Sequence, residues 1–305
     1  MRAHRISANG LTHHVRDSGP GSDPESRRDG APAAILLHGF PDTSAVWNRV
    51  TPLLTRAGFR VIAPDLRGFG ETNMAPSVRD YDIRTGAAPD ILAILDALAL
   101  PRVHIVGHDF GAPVAWFLAA QRPDRFASLA ALSVGHMRAF MEAGMEQKRR
   151  SFYILLHQLR GLCEAAYRAG DWALMRRHWS AHADIDGAIR LLARPGRLTA
   201  GLNWYRANAG LGRMLFPPKP GVLGEETVRI PTLGVWSAGE RYLTEAQMTA
   251  SAAHVDAPWR YVRIEEASHW IPCDAPGRLA DLLVEHWRRA EDRNGAFKAP
   301  AKLLS

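Results

Sequence analysis

Cysteine is almost missing from this chain of 305 residues: Cys163 and Cys273 are the two it has. Two thiols are too few for a disulfide framework, and neither stands in a metal-ligand spacing, so a reducing cytoplasm is the expected compartment. No run approaches the ~20 apolar residues needed to span a bilayer. No apolar stretch follows the basic start Met1-Arg2-Ala3-His4-Arg5, which argues against a secretory signal. Lysine is scarce, since 34 of the 38 basic residues are arginine, and the formal net charge is +7. Those charges are scattered, with only short pairs such as Arg149-Arg150, Arg176-Arg177 and Arg288-Arg289. Nucleic-acid binding needs them gathered on one face, so the charge reads as a solvated surface. There is no internal repeat and no low-complexity tract.

The rest of the composition is that of an ordinary globular protein, 47% apolar and 23% charged. The length accommodates one large domain or two modest ones. His4 to Arg16 reads as a hairpin turned by Asn9-Gly10. Asp17 to Pro32, rich in Gly, Pro, Ser and charge, reads as a surface loop. Buried strands are expected at Ala33–Leu37, Arg60–Ala63, Arg102–Val106 and Ala127–Val134, with helices at Val46–Ala57, Thr85–Leu100 and Ala112–Gln121 between them. This alternation means a parallel sheet with right-handed crossovers.

The alternation stops at about Gly135. From there to Phe216 the sequence offers helical segments only, such as Phe152–Leu162 and Asp171–Ala181, until Pro217-Pro218-Lys219-Pro220-Gly221 marks a boundary. It resumes with strands at Thr232–Trp236 and Arg260–Ile264, and helices at Glu245–His254 and Arg278–Ala290. Asn294 to Ser305 reads as a loose tail. The expected architecture is therefore one α/β core, residues 1–135 and 217–305, interrupted by a helical cap at 136–216.

One stretch organises the chemistry. Val106-Gly107-His108-Asp109-Phe110-Gly111 sits between a strand and a helix, with two glycines bracketing one ionisable side chain. This is the G-x-nucleophile-x-G elbow of the α/β-hydrolases, with aspartate where serine is usual. A carboxylate is ionised at neutral pH without a base, which leaves a histidine free to activate water. His269, just past an expected strand, completes the order nucleophile, acid, histidine. The acid should follow the strand ending at Trp236, which points to Glu240. A carboxylate on its other nitrogen fixes the tautomer of a general-base histidine. A helix-capping Asp109, a structural His269 and a solvated Glu240 paired with Arg241 are the plainer alternatives.

Together with His38-Gly39-Phe40-Pro41, these residues resemble the epoxide hydrolase branch of the α/β-hydrolase superfamily, from Ile6 to Trp287. Ser151-Phe152-Tyr153-Ile154-Leu155-Leu156-His157-Gln158 and Gly201-Leu202-Asn203-Trp204-Tyr205-Arg206 resemble the two cap segments that bear that family's catalytic tyrosines. The resemblance implies an Asp109 nucleophile, a His269–Glu240 pair that activates water, and Tyr153 and Tyr205 on the epoxide oxygen. The backbone N–H groups of Phe40 and Phe110 would form the oxyanion hole. It also implies a small hydrophobic epoxide and water as reactants, a vicinal diol as product, and neither metal nor organic cofactor. Three positions depart from the family's habit. Phe110 stands where Trp is common, Ser268 where Gly is usual, and Glu240 where Asp is commoner. A haloalkane or haloacetate dehalogenase shares the Asp elbow, but Phe110 lacks an indole donor for halide. A non-catalytic binding protein for a hydrophobic ligand on the same scaffold is the reading from another class.

Overall fold

The computed structural model describes residues 1–19, 31–210 and 226–293. Most of the expected loop before Pro32, the Pro217–Gly221 boundary and the tail from Asn294 lie outside the described residues. Asn9 and Gly10, at φ 47° and 75°, turn the hairpin of β1 (Arg2–Ala8) and β2 (Leu11–Asp17). A two-residue turn with both centres left-handed matches the twist of the strands it joins. This hairpin adds to one edge of an eight-stranded sheet of order β1-β2-β4-β3-β5-β6-β7-β8. β3 (Ala33–Leu37), β4 (Arg60–Pro64), β5 (Val103–His108), β6 (Phe126–Leu132), β7 (Thr232–Gly239) and β8 (Trp259–Ser268) all run parallel to one another. Every residue of β3 and β5 is buried, as strands covered by helices on both faces must be. Their carboxyl ends therefore share one edge, where loops are free to carry chemistry.

Two expected helices start differently from their periodicity. Val46–Ala57 resolves into a 3-10 turn at Ser44–Trp47 and a short helix, α1 (Thr51–Arg56). Pro52 has no N–H to give to a preceding turn, so the chain restarts with it in a first turn. Thr85–Leu100 begins as a wide turn at Ile83–Ala87 and becomes α2 (Ala88–Ala97), with Pro89 again at the start. The side chain of Asp82 accepts from the backbone N–H groups of Arg84 and Thr85 at 2.9 and 3.2 Å, capping that turn. β8 extends past the expected Ile264 to Ser268, which brings it to the edge of His269.

α3 (Gly111–Gln121) follows the elbow and is apolar all round, because it is buried under the sheet and its neighbours. Between β6 and β7, the described residues form helices and no strand. These are α4 (Met137–Glu142), α5 (Gly144–Arg150), α6 (Tyr153–Gln158), α7 (Leu162–His178), α8 (Ile185–Leu192) and α9 (Arg197–Asn208). The single helix expected over Phe152–Leu162 breaks at Gly161, whose φ is 77° and whose N–H donates to the Glu164 carboxylate at 2.8 Å. α7 is itself interrupted at Ala169–Trp172, where Gly170, Asp171 and Trp172 have positive φ.

One buried ion pair holds the helices that matter most for the site. Arg206 on α9 donates twice to Glu164 on α7, at 2.8 and 3.0 Å, and a third time to the carbonyl of His157 on α6, at 2.9 Å. The two side chains are 3% and 8% exposed. Removing one partner strands a charge away from water. Glu164→Ala should accordingly lower stability by about 3–5 kcal/mol, read as a drop in the denaturation midpoint. A change within experimental error would mean that the pair is a bystander.

Candidate active site

The elbow is a steric construction. Asp109 has φ 51°, a left-handed conformation that Asp tolerates better than most non-glycine residues. The sharp turn presses its flanking glycines into neighbouring backbone. A Cβ on Gly107 would lie 2.3 Å from the Gly111 carbonyl oxygen, and one on Gly111 would lie 2.2 Å from that of Leu37. With no side chain at either position, the Asp109 carboxylate rises off the end of β5. Glu240 is the first residue after β7, and His269 the first after β8. Three strand ends thus bring together residues far apart in sequence.

Asp109 Oδ1 accepts from the backbone N–H of Phe40 at 2.8 Å. The N–H of Phe110 is a further donor to this carboxylate. Asp109 Oδ2 lies 3.5 Å from His269 Nε2, and His269 Nδ1 lies 2.6 Å from Glu240 Oε2. The other oxygen of Glu240 accepts from the N–H of Tyr242 at 2.8 Å. Glu240 is buried against His269 instead of solvated beside Arg241, whose guanidinium turns to Ser180. Its extra methylene relative to aspartate is absorbed without loss of the contact.

The charges follow from this packing. Burial alone would push Asp109 up, but hydrogen bonding and charge from His269, with the Phe110 N–H, hold its carboxyl below the usual range. Burial would likewise depress His269. The adjacent Glu240 and Asp109 carboxylates outweigh it and raise the imidazole to about 10. At neutral pH the pair is an aspartate facing an imidazolium.

Above this pair, Asp109, Phe110, Tyr153, Tyr205 and Tyr242 line one cavity, walled elsewhere by Ile83, Pro113, Val134, Met137, Phe140, Ile154 and Leu243. The rings of Tyr153 and Tyr205 are 6.0 Å apart and nearly perpendicular, and their hydroxyls hydrogen-bond to each other. Burial, with Asp109's negative charge among the further contributions, raises both phenols well above 10, so they remain protonated donors. Tyr242 is a wall and not a third donor, because its hydroxyl donates to the His178 carbonyl at 2.8 Å. The other polar lining groups are engaged as well. Ser151 accepts from Gln147 at 2.8 Å, and Asn208 donates to the carbonyls of Tyr81 and Trp204. Among the described residues, no cluster of His, Cys, Asp and Glu could hold a metal ion. Nor is any helix long and apolar enough to cross a membrane.

Two residues went unnoticed in the sequence. His108, the variable position of the elbow, is fully buried and donates Nε2–H to the His269 carbonyl at 2.8 Å. Burial depresses it to about 4, which keeps it neutral. Asp42 accepts from Trp270 Nε1 at 3.0 Å and pairs with His182 Nε2 at 2.9 Å. It therefore ties the Phe40 loop to the His269 loop and to the helical stretch above. The signal for it was its place directly after His38-Gly39-Phe40-Pro41, a motif that otherwise accounted for itself.

A family model described as alpha/beta hydrolase fold matches residues 32–155. An AB hydrolase superfamily protein of Bacillus subtilis, YfhM, is 32% identical, the match covering 92% of this chain and 96% of the relative. Epoxide hydrolase A of Mycobacterium tuberculosis is 30% identical over 86% of this chain and 92% of its own. The crystal structure of epoxide hydrolase A from Mycobacterium thermoresistibile superposes with a TM-score of 0.77 at 25% identity, over 94% of this chain and 98% of that one. Fold, strand-end geometry and these likenesses agree: the chain is a hydrolase of the α/β-hydrolase superfamily and belongs to its epoxide hydrolase branch.

Proposed function

We propose that this enzyme converts a small hydrophobic epoxide and water to a vicinal diol through an ester on Asp109. The observation that carries the reading is a pair of protonated phenols sharing one apolar cavity with an ionised aspartate. In this reading the helices between β6 and β7 are a cap, residues 136–216, on a core of residues 1–135 and 217–305.

Ring opening needs a nucleophile and a proton source together. Asp109 Oδ2 attacks a ring carbon and the C–O bond breaks. One phenol of the Tyr153–Tyr205 pair gives its proton to the departing alkoxide while the other hydrogen-bonds it. Oδ1, held by the Phe40 N–H, becomes the ester carbonyl oxygen. Attack also consumes one of the two negative charges, Asp109's beside Glu240's, that held His269 protonated. Its pKa falls, the imidazolium gives its proton to solvent, and the neutral imidazole becomes the base that the second step requires. His269, oriented by Glu240, then deprotonates a water that attacks the Asp109 carbonyl carbon. The oxyanion develops on Oδ1, which accepts from the Phe40 N–H, and the Phe110 N–H is the second donor in this reading. Collapse releases the diol and restores the carboxylate, and the phenol regains its proton from solvent.

Two outcomes check this. Because the folded pKa of His269 lies above its ordinary 6.5, the stability its pairing contributes is fully present below pH 6.5 and lost as pH rises through about 10. Glu240→Gln removes the strongest raising influence, so the variant's imidazole should titrate well below the parent's by NMR. The stability gap between the two should be widest at low pH and shrink towards pH 10. An unchanged titration would detach Glu240 from His269. For the phenols, Tyr153→Phe and Tyr205→Phe should each slow alkylation by an epoxide, up to the hundredfold that one lost donor, about 3 kcal/mol, commonly costs. The double replacement should nearly abolish ring opening while sparing any displacement of halide from a short haloalkane, which needs no proton. Undiminished epoxide opening in the double variant would refute the reading.

A further inference from the structure

The outward face of the cap's first half is apolar. Among the described residues six large hydrophobic side chains are exposed, and four of them fall between residues 145 and 162: Met145 at 76%, Phe152 at 68%, Leu159 at 48% and Leu162 at 68%. Isolated surface hydrophobics are ordinary, whereas a gathering of this kind marks an interaction surface. Helical spacing aligns them. Phe152, Leu155 and Leu159 stand at i, i+3 and i+7 along one side of α6, while Ile154 and His157 are buried on the other. Beyond the break at Gly161, Leu162 and the exposed Ala165 stand three apart in the first turns of α7.

Basic side chains border this ridge. Lys148, Arg149, Arg160 and Arg168 are exposed. Among the described residues, no carboxylate pairs with Lys148, Arg160 or Arg168. The acidic neighbours are already engaged, Glu146 with Arg149 and Arg150, and Glu164 with Arg206. We propose that this face docks on an anionic phospholipid surface, with the leucines and Phe152 entering the headgroup boundary and the free cations meeting lipid phosphates and carboxylates. Apolar insertion together with basic flanks is the combination that interfacial binding requires. A second copy is a poorer occupant, because a two-fold contact would set these unpaired cations against themselves. The inner side of the same segment supplies Ser151, Tyr153 and Ile154 to the cavity wall. Docking there would place the cap beside bilayer-dissolved substrate, a consequence that rests on the epoxide reading although the docking does not.

The test is co-sedimentation of the whole protein with vesicles of phosphatidylcholine alone and of equimolar phosphatidylcholine and phosphatidylserine. The protein should pellet with the anionic vesicles, much less with the neutral ones, and be released by raised salt. Leu159→Glu/Leu162→Glu should weaken binding at least tenfold. Lys148→Glu/Arg160→Glu/Arg168→Glu should do the same, so that misfolding of one variant leaves the other to decide. Each should keep turnover of a water-soluble epoxide. The proposal is overturned if the parent stays in the supernatant, or if both variants pellet like the parent. A parent that sediments as a dimer, and becomes monomeric in the leucine variant, would also overturn it by giving the face to a second copy. Vesicle binding without turnover of any epoxide would support the docking and overturn the catalytic reading instead.

Discussion

Everything in this site depends on how one carboxylate is held. Asp109 stands on a left-handed turn at the end of β5, with one oxygen fixed by the Phe40 N–H and the other turned to His269. That division of labour is set before any substrate arrives. The oxygen in the N–H cradle is the one on which negative charge would return during ester hydrolysis, and the one beside the imidazole is free to attack. Preorganised donors of this kind cost no rearrangement at the moment of reaction. The buried histidine and glutamate complete a chain of charges in which each group's state is fixed by its neighbour. His108 and Ser133 anchor the backbone carbonyl of His269 from below.

In the proposed reading the helices between β6 and β7 cap this arrangement, and their attachments converge on the loops that carry Glu240 and His269. Arg150 donates to the carbonyls of Glu240 and Leu243, and Gln147 to that of Tyr242. Asp42 links His182 to Trp270, next to His269. Within the cap, the Arg206–Glu164 pair sets α9 against α6 and α7, and so sets the Tyr205 helix against the Tyr153 helix. The cap is thus joined to the core at the acid, at the histidine and through the helices bearing both phenols.

The central strands were legible in the sequence because β3 to β7 are short, mostly apolar runs with Gly or Pro near their ends. Ala33–Leu37 was read to the residue. The elbow was legible because Gly107 and Gly111 mark a backbone approach that no other residue survives. Chain order pointed to Glu240 and His269, which the fold brings to 2.6 Å of each other, though nothing in the spacing told that Glu240 is buried. Helix starts were misread at Pro52 and Pro89, since periodicity ignores a missing N–H, whereas α3, with Pro113 in its first turn, was read to within one residue. Breaks at Gly161 and Gly170 in the cap were likewise hidden behind apolar spacing. Asp42 and His108 were harder to read for a deeper reason: their parts are defined by partners more than a hundred residues distant.

The central claim is that Asp109 becomes covalently bonded to substrate and that His269 acts only afterwards. Replacing His269 with Gln should leave attack possible and block hydrolysis. Intact-protein mass spectrometry after mixing this variant with styrene oxide should show one retained substrate mass, and peptide mapping should place it on Asp109. Absence of an adduct, or an adduct on any other residue, would contradict the account.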